Sequence, residues 1–207
     1  MNKLILVITF LLFSSTAQAN PIANLYNTGV DDTGIVMPIG SIETHYAMTG
    51  TSSGAKVISN NGAWVFEIPG AAWIGPSNGN ITDPELGNWS YTLLFNLTGL
   101  DSSTAQVTGD WASDSESEII LNGNTMATIN SNSFTTLTSF NLNTGFLPSL
   151  NTLVFEVHNG VGSTANPTGL LVANISGSAD PIPEPATIAL LGIGLAGLAG
   201  GAVRRRF

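Results

Sequence analysis

Apolar side chains recur at every second position through much of this chain. Trp64, Phe66 and Ile68 alternate with Val65 and Glu67; Tyr91, Leu93, Phe95 and Leu97 repeat the pattern, as do Leu153, Phe155 and Val157. Successive side chains of a strand point to opposite faces, so a period of two predicts strands with one buried side. The same signal predicts strands over 42–48, 56–59, 105–111, 118–121, 126–129, 136–142 and 170–176. Clusters of Asn, Gly, Pro and Ser separate the runs, and Asn122-Gly123-Asn124 predicts a tight hairpin between its flanking strands. About ten short strands punctuated in this way imply an all-β fold, an antiparallel β-sandwich best fitted by a jelly roll.

Two continuous apolar runs stand outside this rhythm. Residues 4–13 follow Lys3 and precede Ala17-Gln18-Ala19, the order of a secretory signal peptide whose cleavage site needs small residues such as Ala17 and Ala19. A run of ten apolar residues at ~1.5 Å each falls short of a ~30 Å bilayer core, so removal is expected and the mature chain should begin near Asn20. At the other end, residues 186–203 carry no charge, enough for ~27 Å of helix and a single transmembrane crossing. Arg204, Arg205 and Arg206 hold its far end on the cytoplasmic side by the positive-inside rule. Gly197 and Gly201 give that helix a small-xxx-small face for close packing. Before it, Pro183 and Pro185 fix their own φ angles and lack N–H donors, so Pro183-Glu184-Pro185 is expected to be extended and open to a protease. The resulting organisation is a signal peptide (1–19), a β-sandwich ectodomain (20–176), a linker rich in Ser and Pro (177–182), and a C-terminal segment (183–207).

Charge narrows the partners. Lys56 is the only Lys or Arg between residues 20 and 180, against thirteen of the fourteen acids. Such a surface repels nucleic acid and anionic lipid, which leaves neutral glycans, divalent cations and basic protein faces. The chain has no cysteine, so an exported domain of this kind stands on its hydrophobic core alone.

The C-terminal segment resembles a known sorting signal. Pro183-Glu184-Pro185, the following Ala186-Thr187, the Gly/Ala/Leu-rich run and the terminal arginines look like the PEP-CTERM signal of Gram-negative bacteria that make exopolysaccharide. The resemblance implies export by the Sec machinery, cleavage by signal peptidase and transient anchoring in the inner membrane. It further implies recognition by an exosortase, which cuts near the motif and delivers the protein to the cell surface or extracellular matrix. The stretches "LYNTGVDDTG", "ETHYAM", "AAWIGP", "WSYTLLFNLTGL" and "GDWASDSESEIILNG" are similar to a module of PEP-CTERM proteins that looks like the galactose-binding-like jelly roll. That resemblance implies a sugar-binding role.

Chemistry is sparse. Sugar rings stack on exposed indoles assisted by carboxylates, and Trp73, in a Gly/Pro-flanked loop, and Trp111, beside Asp110, are the expected platform. Asp110, Asp114 and Glu116, with Glu118 next along, offer hard oxygen ligands around a loop, which suits Ca²⁺; no other cofactor is implied. His45 and His158 are the only histidines, and neither has a partner at zinc spacing, so no zinc site is expected. Glu43 and His45 can share a strand face with a serine elsewhere, but no nucleophile elbow accompanies them. Asp110 paired with Asp114 or Glu116 is the best carboxylate couple for glycoside hydrolysis. The reading is a non-enzymatic surface or matrix protein associated with exopolysaccharide. A purely structural matrix or adhesion protein and a polysaccharide-active hydrolase are its alternatives.

Overall fold

Alternation of buried and exposed side chains organises two antiparallel sheets in the computed structural model, which describes residues 18–49, 54–60, 62–66, 68–76, 87–130, 133–160, 167–183 and 192–194. In chain order the strands are β1 (Asn20–Pro21), β2 (Ala47–Thr49), β3 (Lys56–Val57), β4 (Ile74–Gly75), β5 (Gly87–Asn96), β6 (Gln106–Asp114), β7 (Glu116–Leu121), β8 (Asn124–Ile129), β9 (Thr138–Leu142), β10 (Leu150–Asn159) and β11 (Gly169–Ala179). One sheet runs β3-β4-β11-β6-β9, with β1 also pairing β11; the other runs β2-β5-β10-β7-β8. The two form a β-sandwich. Its core joins inward residues of both sheets, with Tyr91, Leu93, Phe95, Ile119, Leu121, Leu153, Phe155 and Val157 facing Val107, Trp111, Leu170 and Val172. Phe155 sits at the centre, its ring 5.7 Å from that of Trp111 and 6.0 Å from that of Phe140.

The turn between β7 and β8 is the expected hairpin. Leu121 pairs Asn124 across a two-residue loop in which Asn122 (φ 50°) and Gly123 (φ 84°) are both left-handed, the conformation whose twist matches that of paired strands.

Two stretches depart from the periodicity. Trp64, Val65, Phe66 and Ile68 form no strand: Trp64 is buried, whereas Phe66 is 75% exposed. The Asn60 side chain donates to the Trp64 and Val65 carbonyls, and Val65 N–H donates to Phe134, so the segment lies as a loop over the first sheet. There Trp64 and Trp73 pack with their rings tilted by 38° and centroids 4.4 Å apart, in a second apolar cluster with Ile58, Ala112, Leu171 and Ala173. This cover explains why β11 is buried on both faces from Gly169 to Ala173. Of the stretch 42–48, only Ala47 and Met48 join a strand, because the backbone from Glu43 to Tyr46 is tied to the Glu43 carboxylate instead.

β11 runs on through residues 177–179 of the expected linker, where Ser178 and Ala179 pair Pro21 and Asn20 of β1. Beyond it Ile182 N–H still donates to Gly99. Among the described residues no helix is long and apolar enough to cross a membrane. The expected crossing over 186–203 lies outside them except for Gly192, Ile193 and Gly194, which are helical.

Candidate functional site

The expected glycan platform does not form. Trp111 is 0% exposed and points into the sandwich core, and Trp73 is 3% exposed beneath the loop cover. Neither indole offers a face to a sugar; period-two position decides the first and packing on Trp64 the second. Trp73 instead lines the floor of an apolar cleft of about 420 Å³ with Val36, Pro38, Ile39, Ile58 and Ala71.

The expected calcium ligands are also separated. Asp110 and Asp114 lie on the outer face of β6, four residues and ~13 Å apart along the strand, with buried Ala112 between them. Asp110 accepts from Ser139 Oγ (2.6 Å) and Asn174 Nδ2 (2.9 Å), and those bonds, Asn174's first, hold its carboxyl below the usual range. Asn174 reaches it from a left-handed conformation inside the bulge of β11. Asp114 is buried and accepts from Trp64 Nε1 at 2.8 Å; burial pushes its carboxyl up against the opposing effect of that bond. Glu116 starts β7 in the other sheet. Among the described residues, the side chains of these three do not gather into one group of ligand atoms.

A different group comes together on the outer face of the second sheet. Register sets Glu118 directly opposite Glu156, and Glu116 opposite His158. One ligand atom each from Glu118, Glu156 and His158 lies within 4.8 Å of the others. His158 Nε2 is 3.5 Å from Glu118 Oε1, and its Nδ1 is 3.9 Å from Glu156 Oε1. Thr125 Oγ1 donates to Glu118 Oε2 (2.9 Å) and Ser90 Oγ to Glu156 Oε2 (3.5 Å). The i, i+2 spacing of Glu156 and His158 signals a shared face in the sequence, but the partner at Glu118 needs the register.

His45 anchors a second polar group. Its ring stacks on Tyr26 with centroids 3.7 Å apart, and its Nε2 lies 3.0 Å from Asp32 Oδ1. Behind it, buried Glu43 accepts from the N–H groups of Gly29 (2.7 Å), His45 (2.7 Å) and Tyr46 (3.4 Å), which fixes the loop carrying Asp32 against the one carrying His45. Burial, reinforced by the Glu43 charge, raises the Tyr46 hydroxyl well above its ordinary acidity range, and that hydroxyl donates to the Tyr26 carbonyl at 2.6 Å. Tyr26, Asp32 and His45 border an open pocket of about 380 Å³ whose other walls include Asn24, Thr44 and Thr92. The Asp32 side chain is 90% exposed at its rim. Glu43 and His45 were legible as neighbours; Tyr26 and Asp32 were not, because loop contacts leave no periodic trace.

At the C-terminus, Pro183 is the last described residue before the rest of the motif; Glu184, Pro185 and Arg204 to Arg206 lie outside the described residues, as does Ala17. Residues 181–206 match the PEP-CTERM protein-sorting motif. The motif marks an exported protein, transiently anchored in the membrane, with an exosortase as its partner. Comparison with curated proteins finds no match. Among solved structures, a GH31 alpha-xylosidase from Xanthomonas citri is matched over 79% of this chain at 12% identity and a TM-score of 0.25. The match covers 19% of that enzyme, so the chain spans about a fifth of its length.

Proposed function

We propose that this chain is a non-enzymatic protein of the Gram-negative cell surface or extracellular matrix, delivered through a signal peptide and an exosortase, that associates with exopolysaccharide. The sandwich is read as a galactose-binding-like jelly roll, since β5 to β11 pass repeatedly from one sheet to the other. The observation that carries the glycan reading is the pocket around Tyr26, Asp32 and His45. Its volume of about 380 Å³ suits one or two sugar units, and it mixes an aromatic ring with an exposed carboxylate, an amide and hydroxyls. Each of the two imidazoles faces two carboxylates, an arrangement that fits binding and structure better than activation of a serine.

Affinity electrophoresis of the full chain through gels holding a neutral exopolysaccharide tests this reading. Retention by the wild type is expected, with little dependence on salt because no ion pair to the polymer is involved. Asp32→Ala and Tyr26→Ala should migrate as if no polymer were present. A folded wild type that is not retained would transfer the proposal to a purely structural matrix protein, and a shortened polymer would make the protein a hydrolase.

A further inference from the structure

We propose that Glu118, Glu156 and His158 bind a divalent first-row transition metal of the Zn²⁺ type on the outer face of the second sheet. The site is independent of the glycan pocket. Two carboxylates directly opposed on neighbouring strands repel each other and destabilise the pairing unless something cationic lies between them. Glu116 opposite His158 adds a third carboxylate to the same face. Lys56, the only Lys or Arg among the described residues, belongs to β3 in the other sheet.

The donor set selects the ion. An imidazole nitrogen with two carboxylate oxygens suits Zn²⁺ and its neighbours, whereas Ca²⁺ takes oxygen ligands almost alone. Bonds of ~2.0–2.2 Å place two ligands of one tetrahedral ion about 3.3 Å apart. One ligand atom from each residue already lies within 4.8 Å of the others; Glu118 is nearest the ring Nε2 and Glu156 nearest Nδ1, so the ion takes one ring nitrogen and the other carboxylate rotates to meet it. The hydroxyls of Thr125 and Ser90 engage the Oε2 atoms and leave each Oε1 turned to the ring. All three side chains are half-buried on a regular ladder rather than on a loop, which fixes their spacing.

Thermal unfolding of the full chain, in EDTA and then in Zn²⁺ or Ca²⁺, tests the site. At about a hundredfold excess over its dissociation constant, Zn²⁺ should raise the wild-type midpoint by about 5–10 °C. In EDTA, Glu156→Gln should melt at or above the wild type because a repulsion is gone. In Zn²⁺ it should melt below, as should His158→Gln. Midpoints of the variants in EDTA report directly that they fold. A wild type that Zn²⁺ does not stabilise would overturn the proposal. So would a Zn²⁺ shift that His158→Gln retains in full, since the ion would then sit elsewhere, or an equal shift with Ca²⁺ in both proteins, since any dication would then serve.

Discussion

Asp110 and Asp114 share a face of one strand, yet their surroundings push their acidities in opposite directions. Hydrogen bonds from Asn174 and Ser139 lower the first, and burial under Trp64 raises the second. The contribution of Asp110 is therefore full above the unfolded value of about 3.9 and is lost as pH falls through its lower folded value. That of Asp114 is present below about 3.9 and is lost as pH rises through its raised folded value. Urea unfolding across a pH series should show Asp110→Asn losing ground to the wild type as pH climbs from about 3 to 5, and Asp114→Asn gaining ground as it climbs above about 4. Slopes of the same sign for both variants would contradict these environments. Residue types alone marked both aspartates as hard ligands; their separation follows from the ~13 Å rise of four strand residues and their different surroundings from a loop cover that the sequence does not encode locally. Glu43 is a similar case: its carboxylate holds the backbone N–H groups of Gly29, His45 and Tyr46.

At the level of elements, the period-two runs over 91–97, 118–121 and 153–157 became the centre of the second sheet because each has one face in the core and one in water. The run 64–68 carries the same alternation, yet Trp64 to Phe66 lie in a loop, since bonds from the Asn60 side chain and to the Phe134 carbonyl replace strand pairing. Two glycines separate backbone need from packing need. Gly123 has φ 84° with nothing near its missing Cβ, whereas a Cβ on Gly109 would meet the Phe140 ring at 2.7 Å. Gly123→Ala should thus cost about 1 kcal/mol, for left-handed backbone alone. Gly109→Ala should cost about 1–3 kcal/mol for overpacking. Urea midpoints decide the matter, and a Gly109→Ala protein as stable as the wild type would remove the ring from that position.

For the whole molecule, the strands that begin and end the sandwich are neighbours: Asn20 pairs Ala179, and the chain stays bonded to the domain through Ile182, the residue before Pro183-Glu184-Pro185. The sandwich, the hairpin and the C-terminal motif were legible because each depends on residues close in sequence. The Glu118, Glu156 and His158 group and the pocket at Tyr26 were not, because strand register and loop packing join residues far apart. Only Pro183, Glu184 and Pro185 separate Ile182 from Ala186, four steps of chain or at most ~14 Å extended, so processing there would occur close under the folded domain. The most direct test is the intact mass of the surface-fraction protein from a host with an active exosortase. A C-terminus between Pro183 and Ala186 is expected, and recovery of the chain with Phe207 still attached would contradict the account.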